Sequence, residues 1–272
     1  MKQIKGKKLM TSLLAAALTT TLLTTPVFAK EFTDIDRGAS HYDSVTALYD
    51  AGIVSGYTDG TFGVNDKLQR RHGAALFAKS LSLPVPSDVS AVLKEYYVDV
   101  PSNDPYASII ATVTPSIFKG SNGIFGATQA LTREQMATTI VKAIGLTDNG
   151  TNPGINLSNV SASHKANVKI LAQYGITNQF SNFSPGDSVT RGQFATFLQK
   201  ALNAKVSPSI ALEDGFFAFN KLAKVTLQVS NPADYKVYAE GDPLEYKNGA
   251  FVGVVETTSL QEVKNSLLVI KK

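Results

Sequence analysis

Three arginines give the chain its frame. Arg70, Arg133 and Arg191 lie 63 and 58 residues apart, at the heads of "LQRRHGAALFAKSL" (68–81), "LTREQMATTIVKAIGL" (131–146) and "VTRGQFATFLQKAL" (189–202). Three residues downstream stand Gly73, Met136 and Phe194; seven downstream, Phe77, Ile140 and Leu198; eleven downstream, Leu81, Ile144 and Leu202. Steps of four keep these side chains on one helical face, so the spacing predicts an amphipathic helix of about three turns each time. A unit that recurs after roughly sixty residues cannot bury all its apolar surface alone, whereas three units packed round a shared axis can.

An earlier helix precedes each arginine. "HYDSVTALYDAGIVSGY" (41–57) sets Val45 and Leu48 on one side and stops at Gly52; "HKANVKILAQYGITNQF" (164–180) matches it with Val168, Leu171 and Gly175. "DPYASIIATVTPSIFKG" (104–120) offers Ile109 and Val113, and Pro115 should end that helix early. Turns separate the helices, marked by Asp59-Gly60 and Asn122-Gly123, with no such pair in "FSNFSPGD" (180–187). Each unit is expected to open with an extended piece: "FTDI" (32–35), "YVDV" (97–100) and "INLSNV" (155–160). Pro84, Pro86 and "TDNGTNPG" (147–154) read as linkers. The tail, 204–272, differs in kind. Strand patterns at 224–230, 235–241 and 249–258, a turn at Lys247-Asn248-Gly249, a short helix at 259–266 and a last strand at 267–270 predict a small β-rich module.

Residues 1–29 read as a secretory leader. A basic start (Lys2, Lys5, Lys7, Lys8) runs into an apolar stretch and a small-residue cut site after Ala29. The leader holds four of the 26 Lys and Arg residues and none of the 22 Asp and Glu residues, which leaves the mature chain 22 of each sign. The basic balance of the precursor is therefore no argument for nucleic acid. No later run is long and apolar enough to span a membrane, and the expected location is outside the cell. With no cysteine, disulfides, zinc-thiolate sites and cysteine nucleophiles are excluded. There are three histidines, His41, His72 and His164, and no hydrolase or metalloprotease motif, so no catalytic, metal or cofactor site is expected. Asp59, Asn65 and Asp66 lack EF-hand spacing and read as a turn.

The arginines pose a problem of sign. Thr132 and Gln135, and again Thr190 and Gln193, form capping boxes, with Leu131–Met136 and Val189–Phe194 as hydrophobic staples. A cation in the first turn then opposes the helix dipole at a cost of about 0.3–1 kcal/mol. Two readings resolve this. The guanidinium pairs with a nearby carboxylate such as Asp34 or Asp99, or it joins free helix-start amides in holding an external anion.

Residues 31 to about 203 resemble three tandem S-layer homology (SLH) domains. The motifs are "FTDI", "GIVSGYTDGTF" and "LQRR"; then "YVDV", "GSNGIF" and "LTREQ"; then "GITNQFSNFSPGD" and "VTRGQ". The resemblance implies a mainly α fold in which three repeats (30–84, 85–146 and 147–203) surround a central three-helix bundle with pseudo-threefold symmetry. It implies inter-repeat grooves that bind a secondary cell-wall polysaccharide, typically carrying a pyruvate ketal, whose carboxylate is the anion sought. The binding role falls on Arg70, Arg133 and Arg191, with Thr132, Gln135, Thr190 and Gln193 beside them and Gly56, Asp59 and Gly60 in the loop; Tyr57 is placed to stack on a sugar or to pack the turn. Gln69 and His72 depart from the pattern, leaving the first helix less well capped, and His72 is able to add charge to its groove near pH 6. Three unequal grooves are expected, Arg133 and Arg191 outweighing Arg70. The alternatives are a surface-lattice subunit, an adaptor that displays the tail to a protein partner, and, least favoured, a wall hydrolase.

Overall fold

The computed structural model describes residues 32–204, 209–214, 222–229, 231–257 and 259–272; the leader lies outside them. Helices dominate up to residue 204 and strands thereafter. The three arginine-headed helices form as the spacing requires: α2 (Arg70–Ser80), α5 (Arg133–Ile144) and α7 (Arg191–Ala204). Phe77, Ile140 and Leu198 are fully buried on their shared face. The earlier helices are α1 (Tyr42–Asp50), α4 (Ala107–Val113) and α6 (Lys165–Gln173). Gly52 and Gly175 take the positive φ angles (71° and 64°) that reverse the chain after α1 and α6, and α4 stops two residues before Pro115. One further helix, α3 (Val89–Tyr96), lies where the prolines suggested a linker. Asp88 starts it by accepting from the Ala91 amide (2.8 Å), and Leu93 is its buried residue.

The helices pair across the units. α2 packs on α4, α5 on α6 and α7 on α1, so each late helix covers the early helix of the next unit and the last covers the first. Backbone bonds close the same circuit. The Leu68 amide donates to Val189 O, the Val189 amide to Leu131 O and the Leu131 amide to Leu68 O, each at 2.9 Å. Isolated antiparallel pairings flank this triangle: Lys67 with Thr190, Gln69 with Ala130, and Thr132 with Ser188. Inside lie aromatic contacts such as Phe77–Phe194 (5.4 Å, edge-on) and Phe77–Phe118.

The pieces expected to be extended form no strand. Their acidic residues serve as turn clamps instead. The Asp34 carboxylate accepts from the amides of Phe62, Gly63 and Val64 (2.7, 2.7 and 2.9 Å), and Asp99 from those of Phe125 and Gly126 (2.7 and 2.8 Å). Burial opposes the charge on Asp34, but the amides of Phe62, Val64 and Gly63 outweigh it and hold the carboxyl below its ordinary value.

Among the described residues the tail contains two antiparallel sheets. One runs in the order β1 (Ser209–Asp214), β2 (Leu222–Gln228), β6 (Ala250–Glu256), β5 (Glu245–Lys247). The other runs β4 (Asp242–Pro243), β3 (Tyr235–Ala239), β7 (Leu268–Lys271). The predicted Asn248-Gly249 turn joins β5 to β6, both residues at positive φ (51° and 87°). β4 and β5 are too short to show a periodic pattern, and β1 was also missed. α8 (Leu260–Ser266) precedes β7, its start capped by Ser259. β7 and the residue before it join the two cores: Leu267 and Val269 belong to the sheet core, Leu268 and Ile270 to the helical one. α7 holds this seam through Gln199 Nε2, which donates to Asn265 O and Leu267 O, and through Asn203, which bonds Leu267 O and the Val269 amide.

Candidate functional site

The helix starts decide what each arginine can do. At α5, Thr132 Oγ1 accepts from the Gln135 amide (3.4 Å) and Gln135 Oε1 from the Thr132 amide (3.3 Å); at α7, Thr190 and Gln193 make the same reciprocal pair at 3.2 Å. Both predicted capping boxes are therefore present. Leu131, Met136, Val189 and Phe194, the staple residues, are completely buried. At α2, Gln69 makes no side-chain cap, in line with its departure from the pattern.

The free amides expected at these starts are not free. The Arg70 and Arg71 amides donate to Gln129 O and Ala127 O, those of Arg133 and Glu134 to Asp187 O and Pro185 O, and those of Arg191 and Gly192 to Asp66 O and Val64 O. Neighbouring turns satisfy them, so no bare helix N-terminus is left for an anion.

The guanidinium groups do not pair with Asp34 or Asp99 either, because both carboxylates are taken up by backbone amides. Each arginine reaches instead into the turn of the next unit. Nε donates to Phe125 O from Arg70 (2.7 Å), to Phe183 O from Arg133 (2.8 Å) and to Phe62 O from Arg191 (2.9 Å). Aromatic rings receive the planar group: Phe118 and Phe125 for Arg70, Phe183 and Phe197 for Arg133, Tyr57 and Phe62 for Arg191, all at 4.6–5.5 Å. Carbonyl dipoles and ring faces thus supply the negative potential that the helix dipole withholds. Phe62 and Phe125 are held at both ends, the amide by an aspartate and the carbonyl by an arginine.

The three positions part company in exposure. Arg133 (4% exposed) and Arg70 (9%) are buried, and burial pushes both guanidinium groups below their ordinary pKa. Arg191 is half-buried and lines a cleft of ≈ 320 Å³. Its Nη2 donates to Ser55 O (2.9 Å), while Nη1 has no hydrogen-bond partner among the described residues. The remaining walls come from Ile53, Val54, Tyr57 and Phe62 in the first turn, from His72, Ala75, Leu76 and Lys79 on α2, and from Tyr106 at the start of α4. Three cationic or titratable nitrogen side chains and two tyrosines face it, and no carboxylate is among its lining.

Corresponding residues explain why this junction is open. Five residues beyond Arg133 and Arg191 stand Thr138 and Thr196. Each bonds the histidine that begins the adjacent early helix, Thr138 with His164 Nδ1 (2.7 Å) and Thr196 with His41 Nδ1 (2.9 Å). Five residues beyond Arg70 stands Ala75, which lines the cleft together with Tyr106. The hydrogen-bonded latch is missing there, and the space it would fill belongs to the cleft.

The loop candidates shape the turn rather than line the cleft. A Cβ at Gly56 would meet the Phe32 ring and Thr61 O. The Asp59 carboxylate accepts from the Thr61 amide and hydroxyl (2.9 and 2.7 Å), and Gly60 sits at φ 89°. Tyr57 does line the cleft, its hydroxyl donating to Asp66 (2.9 Å). Tyr106, Lys79 and Ser55 escaped the sequence reading. The signal for Tyr106 was its alignment with His41 and His164.

The arginine-headed helices and the turns they bond thus leave, beside Arg191, a cleft of aromatic and basic side chains. The model of the S-layer homology domain matches residues 31–71 and 158–195. Residues between them show the same Asp-to-turn and Arg-to-carbonyl bonds. The chain is 26% identical over 219 residues to the surface-layer 125 kDa protein of Lysinibacillus sphaericus, which covers 77% of this chain and 18% of that protein. It is 26% identical over 249 residues to an S-layer protein of Bacillus thuringiensis subsp. finitimus (84% and 30%), and 28% identical over 200 residues to S-layer protein EA1 of Bacillus anthracis (71% and 22%). The chain thus spans between 18% and 30% of the length of these relatives. The domain match places it among cell-surface proteins. Among the described residues, no helix is long and apolar enough to cross a membrane, and no group of three or more acidic or histidine side chains is arranged to hold a metal.

Proposed function

We propose that the chain anchors itself non-covalently to the cell surface by binding an anionic, pyruvate-ketal-bearing wall polysaccharide. In this reading residues 30–84, 85–146 and 147–203 are three repeats about a pseudo-threefold axis, and 204–272 is a module they carry. One observation bears the argument: the cleft beside Arg191 collects cationic and aromatic side chains with no acid among them. A ketal carboxylate would meet the unpartnered Nη1 of Arg191, and the tyrosines would face the apolar side of a sugar ring. Arg70 and Arg133 act as pins between repeats, and Thr132, Gln135, Thr190 and Gln193 as caps, while Gly56, Asp59 and Gly60 set the turn that presents Tyr57. The expected ranking thereby changes, since Arg191 outweighs Arg133 as well as Arg70. The protein is read as a binding module without catalysis.

The test is binding of the full mature chain to purified wall polysaccharide, native and depyruvylated. Retention on the native polymer and loss on the depyruvylated one are expected, with Arg191→Ala reducing retention on the former. Equal binding to both polymers overturns the reading.

The relatives' names favour a second reading, in which the chain belongs to a surface lattice. Tyr246 (48% exposed) and Val254 (59%) on the sheet would serve as contacts there. Ordered sheets of purified protein in electron micrographs, lost in Val254→Glu, are the outcome it requires.

A further inference from the structure

The third residue of each arginine-headed helix has a fixed task in two cases and another in the third. Gln135 and Gln193 turn back to the amides of Thr132 and Thr190. At the same place in α2 stands His72. Gln69 offers no cap there, and the imidazole lies against the Tyr106 ring instead (centroids 5.6 Å) and lines the cleft. Its side chain has no hydrogen-bond or ion-pair partner among the described residues. Arg71 and Lys79 face it from its own helix, Arg191 from the start of α7, Tyr106 from the start of α4 and Tyr57 from the turn. The carboxylates on these elements are engaged elsewhere: Asp66 by the Tyr57 hydroxyl, Asp59 by Thr61 and Asp104 by the Tyr106 amide.

We propose that His72 is a proton-linked contact for the bound anion, so that the cleft takes up a proton with its acidic glycan and grips it harder as the surroundings acidify. This rests on the reading of the cleft as an anion site. In the empty cleft, burial first, then Arg71 and Arg191, push the imidazole below its ordinary value, so it is neutral at neutral pH. A carboxylate seated at Arg191 offsets that charge and gives the imidazole an acceptor, and both effects favour the protonated form. Binding therefore raises the histidine's pKa. By linkage, affinity climbs as pH falls through the liganded value and levels off below the empty one. A ketal carboxylate stays ionised throughout this range.

The experiment is calorimetric titration of the full mature chain with a pyruvate-ketal-bearing glycoside between about pH 8 and about pH 5, run in two buffers of different ionisation heat. The wild type is expected to bind about tenfold tighter at the acid end, taking up a fraction of a proton per site near the midpoint. His72→Gln should bind at one weak affinity throughout with no proton uptake, and His72→Lys tightly throughout. A flat wild-type profile, or the same slope in His72→Gln, overturns the proposal while leaving the cleft reading intact. Absence of binding at every pH overturns both.

Discussion

Replacing Arg133 by alanine separates a pin from a ligand contact. The side chain is 4% exposed, donates to Phe183 O at 2.8 Å and to Gln179 Oε1 at 2.7 Å, and lies 4.9 and 5.5 Å from the rings of Phe183 and Phe197. The bond to Phe183 O is buried and made by a charged donor, worth about 1.5–3 kcal/mol. Gln179 is exposed and adds little. Two ring contacts contribute about 0.5–1 kcal/mol each. Returning the guanidinium to water offsets part of this sum, which leaves a loss of about 2–4 kcal/mol on truncation. Urea unfolding followed by circular dichroism measures it directly. Arg133→Lys should recover less than half, because an ammonium has no planar edge to serve the carbonyl while stacking between rings. A loss below about 1 kcal/mol would show that the cross-unit bond contributes little, and full recovery by lysine that the planar guanidinium is not required.

Arg191→Ala, in a half-buried site, should cost about half as much stability as Arg133→Ala yet reduce retention on native wall polymer; calorimetry and pull-down on the same preparations test both halves. Thr132→Ala removes a capping box and should cost about 1 kcal/mol in thermal unfolding, whereas Gln69→Thr should gain up to about 1 kcal/mol at the uncapped start of α2. The seam between helices and sheets is rich in acids. Burial, then Glu262 and Asp43, raise the Glu240 carboxyl to about 7 against the opposing Ser266 bond and Arg37, and burial with Asp242 raises Asp50 to about 6. The folded state keeps protons that the unfolded chain releases, so this stability is complete in acid and is lost as pH rises through about 6 to 7. Glu240→Gln should restore about 1–2 kcal/mol near pH 8, allowing for a half-exposed side chain, and almost nothing near pH 4. A melting-temperature gain equal at both pH values would contradict this.

Much of this was legible where the signal is local. The four-residue spacing behind each arginine, the Thr-x-x-Gln caps and the Asn248-Gly249 turn all depend on neighbours in sequence, and the structure contains them. The arginines' partners were not legible, because Phe125, Phe183 and Phe62 lie 55, 50 and 129 residues away and offer backbone carbonyls that no side-chain pattern advertises. For the same reason one of the two readings offered Asp34 and Asp99 as ion-pair partners, whereas they bind amides. α3 was hidden by the prolines beside it, although Asp88 three residues before Ala91 was a start signal in plain sight. The open junction needed a comparison across units, Ala75 and Tyr106 against Thr138 and His164 or Thr196 and His41, that only the folded circuit makes meaningful.

α7 begins at the guanidinium in the cleft; 8 residues later its Gln199 bonds the end of α8 and Leu267, and 12 residues later its Asn203 bonds Leu267 and the last strand. Its 14 residues amount to a rod about 20 Å long whose own hydrogen bonds run along the axis. Shear on the sheet-bearing half would travel down this rod to the cleft as tension. Its resistance to pulling therefore depends on α7 staying wound together with the packing of α1 on α8.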